Sequence, residues 1–175
     1  MPKRKKQSNV PQTTSKPTQI LLDESFLLCA SGLGCDSTEC EDEADERNIR
    51  ALTALLTAYL TKIPLVLDDR EPSQVITFYR GKYNLLSYPV QDTLNRWLSG
   101  RGRRVTRHRP AKLKQNVIDE CNLKLGTLDP LLCQLAIACH GDAPIWTLDS
   151  DFWCAAQLQP EIRPTCPKEA LASVR

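Results

Sequence analysis

Asp23 and Asp149 each follow a short apolar run directly, in Ile20-Leu21-Leu22-Asp23 and Ile145-Trp146-Thr147-Leu148-Asp149. Asp151 lies two residues past the second of them, and Asp129 stands in Leu128-Asp129-Pro130-Leu131-Leu132. Carboxylates gathered at one place repel one another and partly neutralise by protonation unless a cation joins them. Hard oxygen donors select magnesium or manganese over zinc. Such an ion lowers the pKa of a water and neutralises a phosphodiester in its transition state. The chemistry open to these residues is therefore metal-assisted phosphodiester hydrolysis. Each acid alone also has a plainer reading. An aspartate after a strand serves as a turn residue or a helix cap, and Asp129-Pro130 has the form of a helix start. Their joint placement carries the weight. Parallel strands would deliver Asp23 and Asp149 to one carboxyl edge, where open parallel sheets bind ligands.

Other chemistries find little support. The chain has only two histidines and no G-x-S-x-G, which leaves no serine or cysteine nucleophile with an evident base. His140 precedes Gly141 at a helix end and reads as a cap; His108 lies among arginines and reads as a phosphate contact. No Walker A sequence and no G-x-G-x-x-G occurs, so a phosphate-cradling loop is not indicated. Eight cysteines in 175 residues fall below the density of a disulfide scaffold. Cys121, Cys133 and Cys139 read as small core residues. Cys29, Cys35 and Cys40 have the spacing C-x5-C-x4-C, which matches no standard zinc template. A thiol-based metal or redox sensor is the alternative that this spacing leaves open.

The secondary structure around the acids follows from periodicity. Ile20–Leu22 is expected as a buried strand, followed by a helical turn or two through Phe26, Leu27 and Leu28. Ile49, Leu52, Leu56, Leu60 and Ile63 recur at helical spacing over residues 48–62 and predict an amphipathic helix with that face inward. Leu65-Val66-Leu67 reads as a second buried strand. Residues 72–79 are ambiguous, because Pro72 suits a first helical turn while Val75, Ile76, Thr77, Phe78 and Tyr79 favour a strand. Helices are expected over 90–98, 111–122 and from Asp129 to Gly141. Strands are expected over 144–148 and near Ile162, with a closing helix after Pro167. Strands alternating with helices argue for an α/β protein with a mainly parallel sheet.

The net charge is only +2, from 23 basic and 21 acidic residues, but the charges are segregated. Residues 1–17 carry five bases and no acid, and read as a disordered basic tail. Residues 36–46 carry seven carboxylates and no base, and residues 101–114 carry seven bases and no acid. The first run is expected to lie in an acidic insertion loop over 34–47, the second in a basic loop over 100–114. Arginine offers planar, bidentate donors to phosphate. Arg101, Arg103, Arg104, Arg107, Arg109 and Lys112 are therefore the candidate RNA contacts. No apolar run approaches the ~20 residues that span a bilayer, so no membrane role is expected. Met1–Lys6 is basic but no apolar stretch follows it. The expectation is a cytoplasmic, reducing setting.

The segment Leu128–Ala138, then Gly141, then Ile145-Trp146-Thr147-Leu148-Asp149-Ser150-Asp151-Phe152, resembles the aspartate-led helix, glycine, strand and T-x-D-x-D-F-like ending of PIN domains. Ile20–Leu28 is similar to that family's first strand and its aspartate, although Glu24 and Ser25 stand where members often have threonine or serine and asparagine. Thr165–Leu171 is similar to its closing strand and helix. The resemblance implies one domain over 18–175, a three-layer α/β/α fold with a mainly parallel central sheet, and a magnesium- or manganese-dependent ribonuclease. It implies Asp23, Asp129 and Asp149 as metal ligands and Asp151 as an accessory acid. The family's second acid, usually a glutamate on a helix after the second strand, maps to Glu71, with Asp69 as runner-up. RNA is the implied substrate. An antitoxin or other protein partner and homodimerisation are further family associations, with no interface located by this sequence. The alternative is a PIN-like module that has lost cleavage and binds RNA or protein.

Overall fold

The computed structural model describes residues 16–99 and 104–175. The basic tail over 1–17 thus lies almost wholly outside the described residues, as do Arg101 and Arg103. Five short strands are described. β1 (Leu21–Leu22) pairs with β4 (Ile145–Trp146), and β4 with β5 (Pro164–Thr165). β2 (Leu65–Asp68) pairs with β3 (Val105–His108). Every pairing is parallel. The two sheets meet along a seam where Ile20 bridges Leu65. There the Ile20 N–H donates to the Pro64 carbonyl at 3.0 Å, and the Val66 N–H to the Ile20 carbonyl at 2.9 Å. The order across both is β3-β2-β1-β4-β5. All residues of β1, β2 and β4 are buried. Because side chains alternate between faces, both faces of these strands are covered. This is the α/β organisation expected from the alternation of elements.

Among the described residues, eight α-helices accompany the strands: α1 (Glu24–Ala30), α2 (Ala44–Leu60), α3 (Gln74–Lys82), α4 (Tyr88–Ser99), α5 (Gln115–Glu120), α6 (Leu128–Ala138), α7 (Ser150–Leu158) and α8 (Pro167–Val174). No described helix is long and apolar enough to cross a membrane. The helix α2 forms where expected, but on a rotated face. Ile49 and Leu60 are 64% and 72% exposed, while Ala51, Ala54, Leu55 and Ala58 are buried. Small side chains allow the axes of packed helices to approach closely, and α2 lies against both α1 and α8.

The ambiguous segment resolves as α3. Ser73 caps it, its Oγ accepting from the Ile76 N–H at 3.4 Å. Asp68 adds a cap from the end of β2: its carboxylate accepts from the Gln74 and Val75 amides at 3.1 Å each. Capping and a long-range anchor, the Tyr79 hydroxyl donating to the Leu22 carbonyl at 2.6 Å, outweigh the β-propensity of Val75, Ile76 and Thr77. The basic stretch is not one loop. Its centre is β3, in register from Leu65↔Val105 to Asp68↔His108. The expected helix over 111–122 is shortened to α5.

Four cysteines are not reduced thiols. Cys40 is bonded to Cys166, and Cys121 to Cys154. Cys121 is buried in the core, as expected, but its sulfur is bonded and not free; disulfides persist where the surroundings oxidise. The acidic segment is likewise not a bare loop. Cys40 ties it to the N-cap position of α8, Arg50 pairs with buried Asp42 at 2.5 Å, and the Ser37 hydroxyl donates to the Leu148 carbonyl at 3.0 Å. It runs as a strap from α1 to α2.

Candidate active site

The chain lays down β1, β2 and β3 in one direction and then returns to add β4 and β5 on the other side. Neighbouring strands β1 and β4 thus send their connections opposite ways, and a crevice opens beyond their carboxyl ends. Asp23 follows β1, and Asp149 comes three residues after β4. The Asp23 N–H extends the pairing, donating to the Trp146 carbonyl at 3.0 Å.

Asp23 is 3% exposed and caps α1. Its Oδ2 accepts from the Ser25 N–H at 3.2 Å, the Thr147 hydroxyl at 2.8 Å and the Ser25 hydroxyl. Burial raises its carboxyl above the ordinary range, the Ser25 and Thr147 bonds pull the other way, and Asp149 adds to the rise. Ser25 also ties the two strand ends together, its Oγ accepting from the Leu148 N–H at 2.9 Å. Asp149 caps α7 through the Asp151 N–H at 2.9 Å, and its own N–H donates to Thr147 Oγ1 at 3.0 Å. Asp151 sits in the first turn of α7, half-buried, its carboxyl raised by burial and by Asp149.

Asp129 does not cap its helix. Thr127 holds the N-cap position of α6, and Asp129 is the second helical residue, followed by Pro130. Its half-buried carboxyl is pushed up to about 7, first by burial and then by the charges of Asp23, Asp149, Asp151 and Glu24. Asp23, Glu24, Asp129 and Asp149 line one cleft of about 430 Å³, with Phe78 and Lys82 on its α3 side.

Glu71 is not there. Its side chain is 78% exposed and pairs with Arg107 at 3.1 Å. Asp69 is also exposed and does not line the cleft. The reason lies in α3, whose residues Gln74–Lys82 include no carboxylate. This departs from the family's pattern of an acid on the helix after the second strand. The fourth carboxylate of the cleft is Glu24, held by Lys82 at 2.8 Å. Adjacency to Asp23 in the first turn of α1 was the only sign of it in the sequence. Asp68 is fully buried, and three groups occupy it: the Ser73 hydroxyl at 2.5 Å and the amides of Gln74 and Val75. Burial pushes this carboxyl up, but those three donors outweigh it and hold it below the ordinary range.

The candidate RNA contacts divide. Arg104 precedes β3, at the amino edge, and lies over the Tyr59 ring at 4.3 Å. Arg107 reaches the Asp68 and Arg70 carbonyls as well as Glu71. Arg109 and Lys112 follow β3, are exposed, and leave at the same carboxyl edge as the acids. Two strand spacings, about 10 Å, separate β3 from β1 across the sheet.

No family model, no curated protein and no solved structure matches the chain. Among the described residues, no three histidine, cysteine, aspartate or glutamate side chains form a ready grip for a metal ion. The donor set nonetheless suits a hard divalent cation. It is all oxygen, and burial together with the crowded negative charge raises Asp129 to about 7. Magnesium keeps several of its waters and takes one or two carboxylates, so a closed three-carboxylate cage is not required of it.

Proposed function

We propose that this chain is a metal-dependent ribonuclease with a PIN-like α/β/α fold, cutting RNA phosphodiesters at the cleft beyond β1 and β4. The observation that carries this reading is the gathering of Asp23, Asp129 and Asp149 around one cleft at the switch of strand order. Those three would hold magnesium or manganese. When bound, the ion supplies positive charge and Lewis acidity toward the phosphate. Asp151 assists by charge and by positioning Asp149 through its amide. Lys82 offers a cation for a phosphate at the cleft wall, and Phe78 offers an aromatic face for a base beside it. Arg109 and Lys112 extend the same edge as backbone contacts, which give affinity without sequence.

The test is cleavage of a mixed single-stranded RNA by the purified chain, with EDTA, magnesium or manganese, beside Asp149→Asn. The expected result is metal-dependent cutting that falls by roughly 10²-fold or more in the variant. Equal cutting by a folded Asp149→Asn variant overturns the site. A second reading, a non-cutting RNA-binding module, draws on one observation: α3 brings no carboxylate to the cleft. Metal-independent RNA binding without cleavage would decide for it.

A further inference from the structure

Two cysteines outside the disulfides meet at the start of the strap. Cys29 lies in the last turn of α1 and is buried, while Cys35 is half-exposed. Their Sγ atoms are 2.6 Å apart, little more than the bonded distance of about 2.0 Å. The backbone between them is folded back on itself. The Leu33 N–H donates to the Leu28 carbonyl at 2.9 Å, and Gly32 and Gly34 take the left-handed conformation, with φ +84° and +59°. That conformation carries no steric penalty for glycine.

The two ends are also clamped from outside. The Asn48 side-chain amide donates to the Cys29 carbonyl at 2.6 Å, and the Arg47 guanidinium donates to the Cys35 carbonyl. These donors are consecutive residues of α2. One rigid element therefore holds both cysteines in place, whatever the state of their sulfurs. Thiols fixed in this way face each other at a high effective concentration.

We propose that Cys29 and Cys35 are a redox-active dithiol that closes to a third disulfide. The oxidant is a low-molecular-weight disulfide such as oxidised glutathione. Accessible Cys35 attacks first as its thiolate, forming a mixed disulfide and releasing one thiol. Cys29 then attacks the Cys35 sulfur and releases the second thiol. Two S–H bonds are lost, one S–S bond is made and one is broken. Both protons and both electrons leave in the two released thiols. Buried Cys29, screened from the external disulfide but with its sulfur 2.6 Å from that of Cys35, is placed for the second step. The closed ring would fasten α1, which Asp23 caps, to the strap, whose Ser37 holds the carbonyl of Leu148. Nothing in this depends on RNA cleavage.

The test counts thiols in the full chain, denatured and alkylated without reductant. Eight cysteines less the four of the two existing disulfides leave four to label. After incubation with oxidised glutathione the expected count is two, Cys133 and Cys139, and reduced glutathione restores four. Exposed Leu33 is a chymotrypsin site between the pair, and after a digest that cuts there the peptides bearing Cys29 and Cys35 should stay joined until reduced. Cys35→Ser, a change at a half-exposed site, should show three labelled thiols in both conditions. An unchanged count of four, a stable glutathione adduct on Cys35, or a cross-link from Cys35 to Cys40 or Cys166 would overturn the proposal.

Discussion

Asp68 and Asp129 carry the same side chain and behave differently because their partners differ. Asp68 is saturated by three donors, and its role is structural. Asp68→Ala would leave the Ser73 hydroxyl and two helix-start amides without it, at a cost of about 2–3 kcal/mol. Urea unfolding should show that loss, with catalysis per folded molecule unchanged. Asp129 is the opposite case, half-buried and crowded by like charges, with its pKa pushed up to about 7. Its folded value lies above the ordinary 3.8, so the folded protein binds the proton more tightly. The stability this contributes is whole below about pH 4 and is lost as pH rises toward 7. In metal-free protein, the thermal midpoint of wild type relative to Asp129→Asn should therefore fall between about pH 4 and pH 7 and level off above. Added magnesium should narrow that gap at pH 8. A gap that is independent of pH would show that Asp129 ionises normally.

At the scale of elements, α3 decides most. Its capping by Asp68 and Ser73 makes a helix of a stretch rich in β-branched residues, and it brings Phe78 and Lys82, not an acid, to the cleft. Glu71 is left in the turn before it. Glu71→Gln should accordingly leave cleavage within about 2-fold of wild type, because a solvent-exposed pair with Arg107 contributes little. Lys82→Ala should weaken RNA binding by removing a cleft cation. A filter-binding comparison of the two variants separates these roles. The strap is the second deciding element. The Cys40–Cys166 bond joins residues 126 apart in sequence, and losing such a link removes about 2–4 kcal/mol. Cys166→Ser should lower the denaturant midpoint accordingly. In α2 the large apolar residues Ile49 and Leu60 face solvent, and three alanines with Leu55 make the contact, because small side chains let the neighbouring helices approach closely.

For the whole molecule, the charge runs are divided by the fold. β3 splits the basic stretch, sending Arg104 to the amino edge and Arg109 and Lys112 to the edge of the acids. RNA affinity should therefore depend on salt with a shallower slope in an Arg109→Ala, Lys112→Ala double variant, roughly 1–2 less in log–log terms. An identical slope would remove these residues from the interface. The strand runs at 20–22, 65–67 and 145–148, the aspartates after them and the closing helix were legible in the sequence, because burial on both faces leaves unbroken apolar runs with polar stops. The amphipathic helix was legible as an element but not in its orientation. Local pattern also announced Asp23 and Asp149, since chain order alone sets which acid follows which strand, while Asp129 entered the set through the family resemblance. Three things needed the tertiary structure: the strand order that makes β1 and β4 neighbours, the replacement of Glu71 by Glu24 in the cleft, and the pairing of cysteines 126 residues apart. Each depends on contacts between residues distant in the chain, and local propensity and periodicity carry no record of those distances.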